Sequence, residues 1–174
     1  MKNCKICNEK ISPFMSFGQM PIANGFLNKE KKNTEYFYEM SVAVCNNCSM
    51  FQLLNQPKKE QMFNENYAFF THTSNSMVQH FKNFADHIST NYLNNIKDPF
   101  IVEIGSNDGS TLNNFKQKGF RYLGVEPSKN VADYAINNSI NTLIDFFNLD
   151  IAKKIQKDNN KADIIYATNV FCHI

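Results

Sequence analysis

Two groups of residues have the types and spacing to do chemistry. The first is a set of four cysteines, Cys4, Cys7, Cys45 and Cys48, arranged as two C-x-x-C pairs. Each pair lets two thiolates leave one tight turn toward the same ion. Two such turns complete the tetrahedral sulfur set that zinc favours. A thioredoxin-like thiol site would need a single C-x-x-C opening a helix, and neither pair does so. Four thiolates leave no open coordination position, so the expected zinc is structural. It would add folding energy to a segment with few core residues. The second group is the stretch FIVEIGSNDGST, from Phe100 to Thr111. A short apolar run pours into a loop of glycines, hydroxyls, an asparagine and an aspartate.

In a dinucleotide site the pyrophosphate sits at a helix N-terminus, and glycines clear its way. Gly105 allows the sharp turn and Gly109 opens the next helix, with Glu103 just ahead on the strand. Asn107, however, stands where a middle glycine is expected, and anionic Asp108 would repel a pyrophosphate. A sulfonium amino acid without phosphates suits this loop better, so S-adenosylmethionine is the expected ligand and NAD is disfavoured. Glu126 follows about 20 residues after Gly105, where an acidic side chain reaches ribose hydroxyls. Asp145 and Phe146 close the next apolar run and could hold and stack an adenine. Asn169 and His173 end the last run, over the crevice at the strand ends where ligands bind in such sheets. The cofactor candidates are therefore Glu103, Gly105, Asn107, Asp108, Gly109, Glu126, Asp145, Phe146 and Asn169.

The elements that must position these residues fall into three stretches. Residues 1–60 are loop-rich, with strands expected over YEMSVAVCNNC and CSMFQLLN, and read as a small zinc-binding domain. Residues 61–98 read as a connecting loop and an amphipathic helix. Met77, Val78, Phe81, Phe84, Ala85, Ile88, Tyr92 and Leu93 form one apolar stripe at helical period. Ser74 or Ser76 could cap its start, and Pro99 ends it. His80 and His87 on this helix are expected to face solvent or pack. Residues 99–174 alternate strands (99–105, 120–127, 140–147, 162–171) with helices of about ten residues, the signature of a parallel sheet. The fold class is α/β: a zinc-binding domain, then the first four strands of a Rossmann-like S-adenosylmethionine domain. A doubly wound sheet needs strands on both sides of its switch point. The sheet is therefore expected to be incomplete, and this chain an N-terminal fragment inactive alone.

Bulk properties exclude several classes. The net charge is +2, and Arg121 is the only arginine. Arginine forks are the usual readers of phosphates and base edges, so no nucleic-acid partner is expected. No apolar run approaches the roughly 18 residues that span a bilayer, so no membrane is expected either. The N-terminus has no signal-peptide core. The expected location is the cytoplasm, where cysteines are ligands or free thiols. Cys172, beside an apolar strand, is expected to be a small buried hydrophobe.

The combination CKIC…CNNC, GQMPIANGFL, VEIGSNDGSTL, GVEPS and TNVFCHI resembles the sugar C-methyltransferases of deoxysugar biosynthesis. The resemblance covers essentially the whole chain but only about the first 40% of such a protein. It implies a nucleotide-linked keto-sugar substrate. A proton would leave the carbon beside the ketone, and the enolate would attack the sulfonium methyl in line. It also implies tyrosine and histidine residues facing the sugar. Tyr67 in NYAFFTHTSNS matches best, His72 lies nearby, and His173 matches the histidine after strand four. A second aromatic hydroxyl of that pattern falls on Phe69 or Phe70, which leaves sugar O-methylation open. A non-catalytic zinc-stabilised binding module is the other alternative.

Overall fold

A computed structural model describes residues 2–23 and 25–172, in two compact units, Met1–Met62 and Phe63–Ile174. In the first unit β1 (Lys2–Asn3) pairs antiparallel with β2 (Lys10–Ile11). A three-stranded antiparallel sheet follows, in the order β3 (Met15–Pro21), β4 (Phe37–Val44), β5 (Phe51–Leu53). One helical turn, α1 (Lys59–Met62), closes the unit. The strands over residues 37–44 and 51–53 were legible, but β3 was not. All seven of its residues are exposed, and it carries a glycine, a proline and a register shift between Ser16 and Gln19. No buried face marks it in the sequence. The buried apolar cluster here is small: Cys4, Ile11, Ala43, Cys45 and Leu54. Two of its five members are cysteines, so the thiols belong to the core itself.

The second unit begins with α2 (Asn75–Ile88), which continues as a π-helical turn to Leu93. Ser74 caps it, its hydroxyl accepting from Met77 N–H. Four parallel strands follow, separated by helices: β6 (Phe100–Ile104), α3 (Ser110–Gln117), β7 (Arg121–Val125), α4 (Lys129–Asn137), β8 (Thr142–Leu143), α5 (Leu149–Asn159) and β9 (Ile164–Ala167). The sheet order is β8-β7-β6-β9, so the order reverses beside β6, the strand that feeds the Gly105 loop. All five residues of β6 are buried, as befits a strand covered on both faces. Ile101 packs with Ala85, Leu93, Leu112, Phe115, Ala135 and Ile140 on one face. Phe100 and Val102 pack with Val125 and Ile155 on the other.

Three expectations change. β8 pairs only at Thr142 and Leu143, so Asp145 and Phe146 lie in the loop beyond it and not on the strand. A strand with one neighbour has few ladder bonds to hold its end. β9 likewise covers Ile164–Ala167 only. Cys172 is exposed, since it falls past the end of β9. Among the described residues no helix is long and apolar enough to cross a membrane.

Candidate functional site

The first unit holds the two cysteine turns, which share one design. Cys4 N–H donates to Glu9 O at 2.7 Å, and Asn8 N–H donates to Cys4 O at 2.9 Å. Cys45 N–H donates to Met50 O at 3.0 Å, and Ser49 N–H donates to Cys45 O at 2.8 Å. Asn8 and Ser49, the fourth residue after each first cysteine, both take positive φ. This closure turns both thiols of each pair inward. Cys4 Sγ lies 3.6 Å from Cys48 Sγ, and Cys7 Sγ lies 3.5 Å from Cys45 Sγ. All four sulfurs fall within 4.8 Å of one another. Tetrahedral zinc with bonds of about 2.3 Å needs sulfurs about 3.8 Å apart, so the set fits the ion.

Electrostatics agree with the geometry. Backbone N–H donors, that of Cys7 first, bring the Cys4 thiol down to about 6. Gln52 Nε2 adds a bond to Cys4 Sγ at 3.1 Å. For Cys48 the Met50 amide pulls down, but desolvation and the three neighbouring sulfurs outweigh it and push the thiol up to about 12. Four thiols this close cannot all ionise unaided, and a dication removes that competition. Gln52 also accepts from Lys5 N–H at 3.0 Å, tying β5 to the first turn. Its place in a strand gave no sign of this in the sequence.

The second unit holds the Gly105 loop. Gly105 has φ +68°, and a Cβ there would lie 2.5 Å from Val170 Cγ2. Gly109 caps α3 with φ +76°, and a Cβ there would press on Ile140 and Ala135. Gly105 is therefore needed for the turn and for Val170, and Gly109 for helix packing. Glu126, at the end of β7, is buried and accepts from two amides: Asn107 N–H on Oε2 at 2.9 Å and Ser128 N–H on Oε1 at 2.8 Å. Burial pushes its carboxyl up, against the pull of those amides.

Glu103 is 3% exposed, and its Oε2 has no hydrogen-bond partner. Burial lifts its carboxyl from 4.5 to about 8. Tyr166 and Thr111 pull the other way, although the Tyr166 hydroxyl is, like Oε2, buried without a hydrogen-bond partner. Ser106 Oγ and Asn130 Oδ1 are also buried without partners. Glu103, Ser106 and Asn130 lie on β6, on the loop after it and in the first turn of α4; a ligand rich in hydrogen-bonding groups suits such orphaned atoms, and S-adenosylmethionine is such a ligand.

Asp108 is 3% exposed, and its carboxylate bonds to its own chain. Its Oδ1 accepts from Ser110 N–H at 3.1 Å and Ser110 Oγ–H at 2.6 Å. Its Oδ2 accepts from His72 N–H at 2.8 Å and from the His72 Nδ1 side at 2.7 Å. Asn107 also turns to the chain: Oδ1 accepts from Thr71 N–H and Thr71 Oγ1–H, and Nδ2 donates to Phe69 O.

The remaining candidates are placed as follows. Tyr67 is half-buried, and desolvation first, then the negative charge of Glu126, raises its phenol. The His72 ring stacks flat on Tyr134, with centroids 4.3 Å apart, and its Nδ1 is held by Asp108. Phe146 meets Phe63 edge-on at 6.4 Å. Asp145 Oδ1 accepts from the amide of Phe146. Asn169 is exposed, its Oδ1 facing Cys172 Sγ. His173 lies outside the described residues. Sequence reasoning missed Asn130, which donates to Tyr67 O at 2.8 Å. It also missed Phe63 and Tyr134. Each looks like an ordinary loop or helix residue until the chain is folded.

Comparison with known proteins agrees with both halves. Residues 4–63 match a family model described as "putative zinc binding domain", and residues 77–174 match a "methyltransferase domain" model. The chain is 27% identical over 173 residues to the C-methyltransferase NovU of Streptomyces niveus. That alignment takes in 98% of this chain and 41% of the relative, so the chain spans about two fifths of the relative's length. Among solved structures, one titled a putative S-adenosyl-L-methionine-dependent methyltransferase from Methanococcus maripaludis aligns with 62% of this chain and 53% of its own. The identity there is 15% and the TM-score 0.38.

Proposed function

The chain belongs to the methyltransferase-domain family, whose methyl donor is S-adenosylmethionine, and from that premise we propose that it is the N-terminal part of a sugar C-methyltransferase acting on a nucleotide-linked keto-sugar. The observation that carries the cofactor half is Glu103, a buried carboxyl on the central strand with an orphaned oxygen beneath the loop where the sheet order reverses. The similarity to NovU supports the sugar half. In this reading Glu103, Gly105, Glu126, Asp145 and Phe146 hold the cofactor, which when bound supplies an electrophilic methyl group. Asn107 and Asp108 act through the chain they fasten, and Asn169 lies at the rim. The four cysteines hold a structural zinc. The division is a zinc-binding part over residues 1–60, a connecting part over 61–98 and a cofactor part over 99–174. The location is the cytoplasm, where cysteines serve as metal ligands or free thiols.

Calorimetric titration of a chain of the relative's full length with S-adenosylhomocysteine tests the reading. Saturable heat is expected. No heat up to about 1 mM ligand, a binding free energy of only about −4 kcal/mol, would overturn the cofactor half. Transfer of labelled methyl to a nucleotide-linked keto-sugar, by a chain of the relative's full length, tests the sugar half. Product labelled on oxygen would replace C-methylation with O-methylation, the outcome that Phe69 and Phe70 leave open. Cofactor binding with no transfer to any sugar would leave a zinc-stabilised binding module.

A further inference from the structure

The segment 63–73 is fastened to the loop after β6 and to the first turn of α4. Asn107, after β6, makes three bonds with it: Thr71 N–H and Oγ1–H donate to Oδ1 at 3.0 and 3.1 Å, and Nδ2 donates to Phe69 O at 3.0 Å. Asp108 takes two, from the amide and Nδ1 of His72. Asn130, after β7, donates to Tyr67 O at 2.8 Å. Along the segment runs a row of rings. Phe146 contacts Phe63 at 6.4 Å, Phe63 contacts Tyr67 at 5.8 Å, and Tyr67 contacts Phe69 at 5.8 Å. The row reaches from the loop after β8 to the neighbourhood of the loop after β6. Asn107 joins the two systems, since its side chain holds the segment while its backbone N–H donates to Glu126.

Resting on the S-adenosylmethionine reading of this crevice, we propose that Asn107, Asp108 and His72 are positioning residues that hold segment 63–73 as a wall of the nucleoside subsite, with Tyr67 facing the cofactor beside Glu126. This gives Tyr67 and His72 roles other than facing the sugar. His72 is an anchor: Asp108 is a fully buried acceptor, so Nδ1 carries the proton it receives, and the ring face is covered by Tyr134. Asn107 is suited to its place because asparagine tolerates the positive φ of +50° found there. Its amide also supplies an acceptor to Thr71 and a donor to Phe69 at once, which glycine cannot. The interruption of the glycine pattern is then a fastening for the far wall of the site. A wall held in place beforehand spares the ordering cost of binding, while a loosened one lowers the competent fraction and the apparent affinity with it.

The test uses a chain of the relative's full length that carries residues 1–174, with S-adenosylhomocysteine as probe. Asn107→Gly keeps the backbone conformation and deletes the clamp. His72→Phe keeps a ring against Tyr134 and deletes the Nδ1 donor. His72→Asn puts an amide nitrogen where Nδ1 was. The first two are expected to bind about tenfold more weakly than the wild type, with unchanged circular dichroism and faster amide exchange confined to residues 67–73. His72→Asn is expected to recover most of the affinity, which a merely space-filling role for the ring would not permit. If Asn107→Gly does not fold, Thr71→Val deletes one donor from the same clamp. Wild-type affinity in the clamp variants, with the wild type itself binding, overturns this inference alone. No binding by the wild type overturns the reading of the crevice and this inference with it.

Discussion

Glu103→Gln should make the protein more stable at neutral pH while weakening cofactor binding. Glu103 sits on the central strand at 3% exposure, with a carboxyl raised by burial from 4.5 to about 8. In the unfolded chain it ionises above pH 4.5, but the folded chain keeps its proton until about pH 8. Between those values the native state binds more protons than the unfolded one, so stability falls as pH rises. The slope is about 1.4 kcal/mol per pH unit. By pH 7, about 2.5 units into the window, the loss reaches roughly 3 kcal/mol. Glutamine has the same shape and no charge to lose, so it escapes this term. The thermal midpoints of variant and wild type should lie within a few degrees of each other at pH 5. They should separate by roughly 6–12 °C at pH 7, taking about 2–4 °C per kcal/mol for a chain of this size. Melting curves of both proteins at half-unit steps from pH 5 to 8 measure this, and titrations elsewhere cancel in the difference. Parallel midpoint curves with a constant gap would refute the assignment of a buried neutral carboxyl. A gain in stability with undiminished S-adenosylhomocysteine affinity would keep the buried acid but remove Glu103 from the cofactor site.

Three shorter predictions follow from the same geometry. Cys45→Ser should lower the zinc content, measured by elemental mass spectrometry, from about one ion per chain to near zero, and chelation of the wild type should unfold the first unit, whose core is partly cysteine. Gly105→Ala should cost more than Gly119→Ala, although both have positive φ. The Gly119 variant bears only the roughly 1–2 kcal/mol of backbone strain, having nothing within 4 Å, whereas the Gly105 variant must also displace Val170; equal midpoints in urea would contradict this. Ser74→Ala should cost about 1 kcal/mol through loss of the α2 cap, read as a drop in thermal midpoint that Ser74→Asp largely restores.

How much was legible varied from element to element, for physical reasons. β6 and β7 were readable because a strand buried on both faces must be apolar throughout, and turn residues bracket it. β3 was not readable because its whole length is exposed, so no pattern of burial constrains its residues. The cysteine turns were readable because a tetrahedral ion dictates both residue type and local spacing. Gln52 was not, because its bond to Cys4 depends on how β5 lies beside a turn nearly fifty positions away.

The sequence by itself determined the four thiols, the strand and helix alternation, the glycines of the first crossing and the acidic residues at the ends of β6 and β7. These are local requirements of backbone geometry and coordination, written in adjacent residues. Tertiary structure alone decided which groups the polar side chains of that loop bond to. Asn107 and Asp108 look like ligand contacts in the sequence, because their partners Phe69, Thr71 and His72 lie more than thirty positions away and nothing local announces them. Hydrogen bonds between a side chain and a distant backbone depend on how the chain returns, and that path is set by the packing of the core around β6.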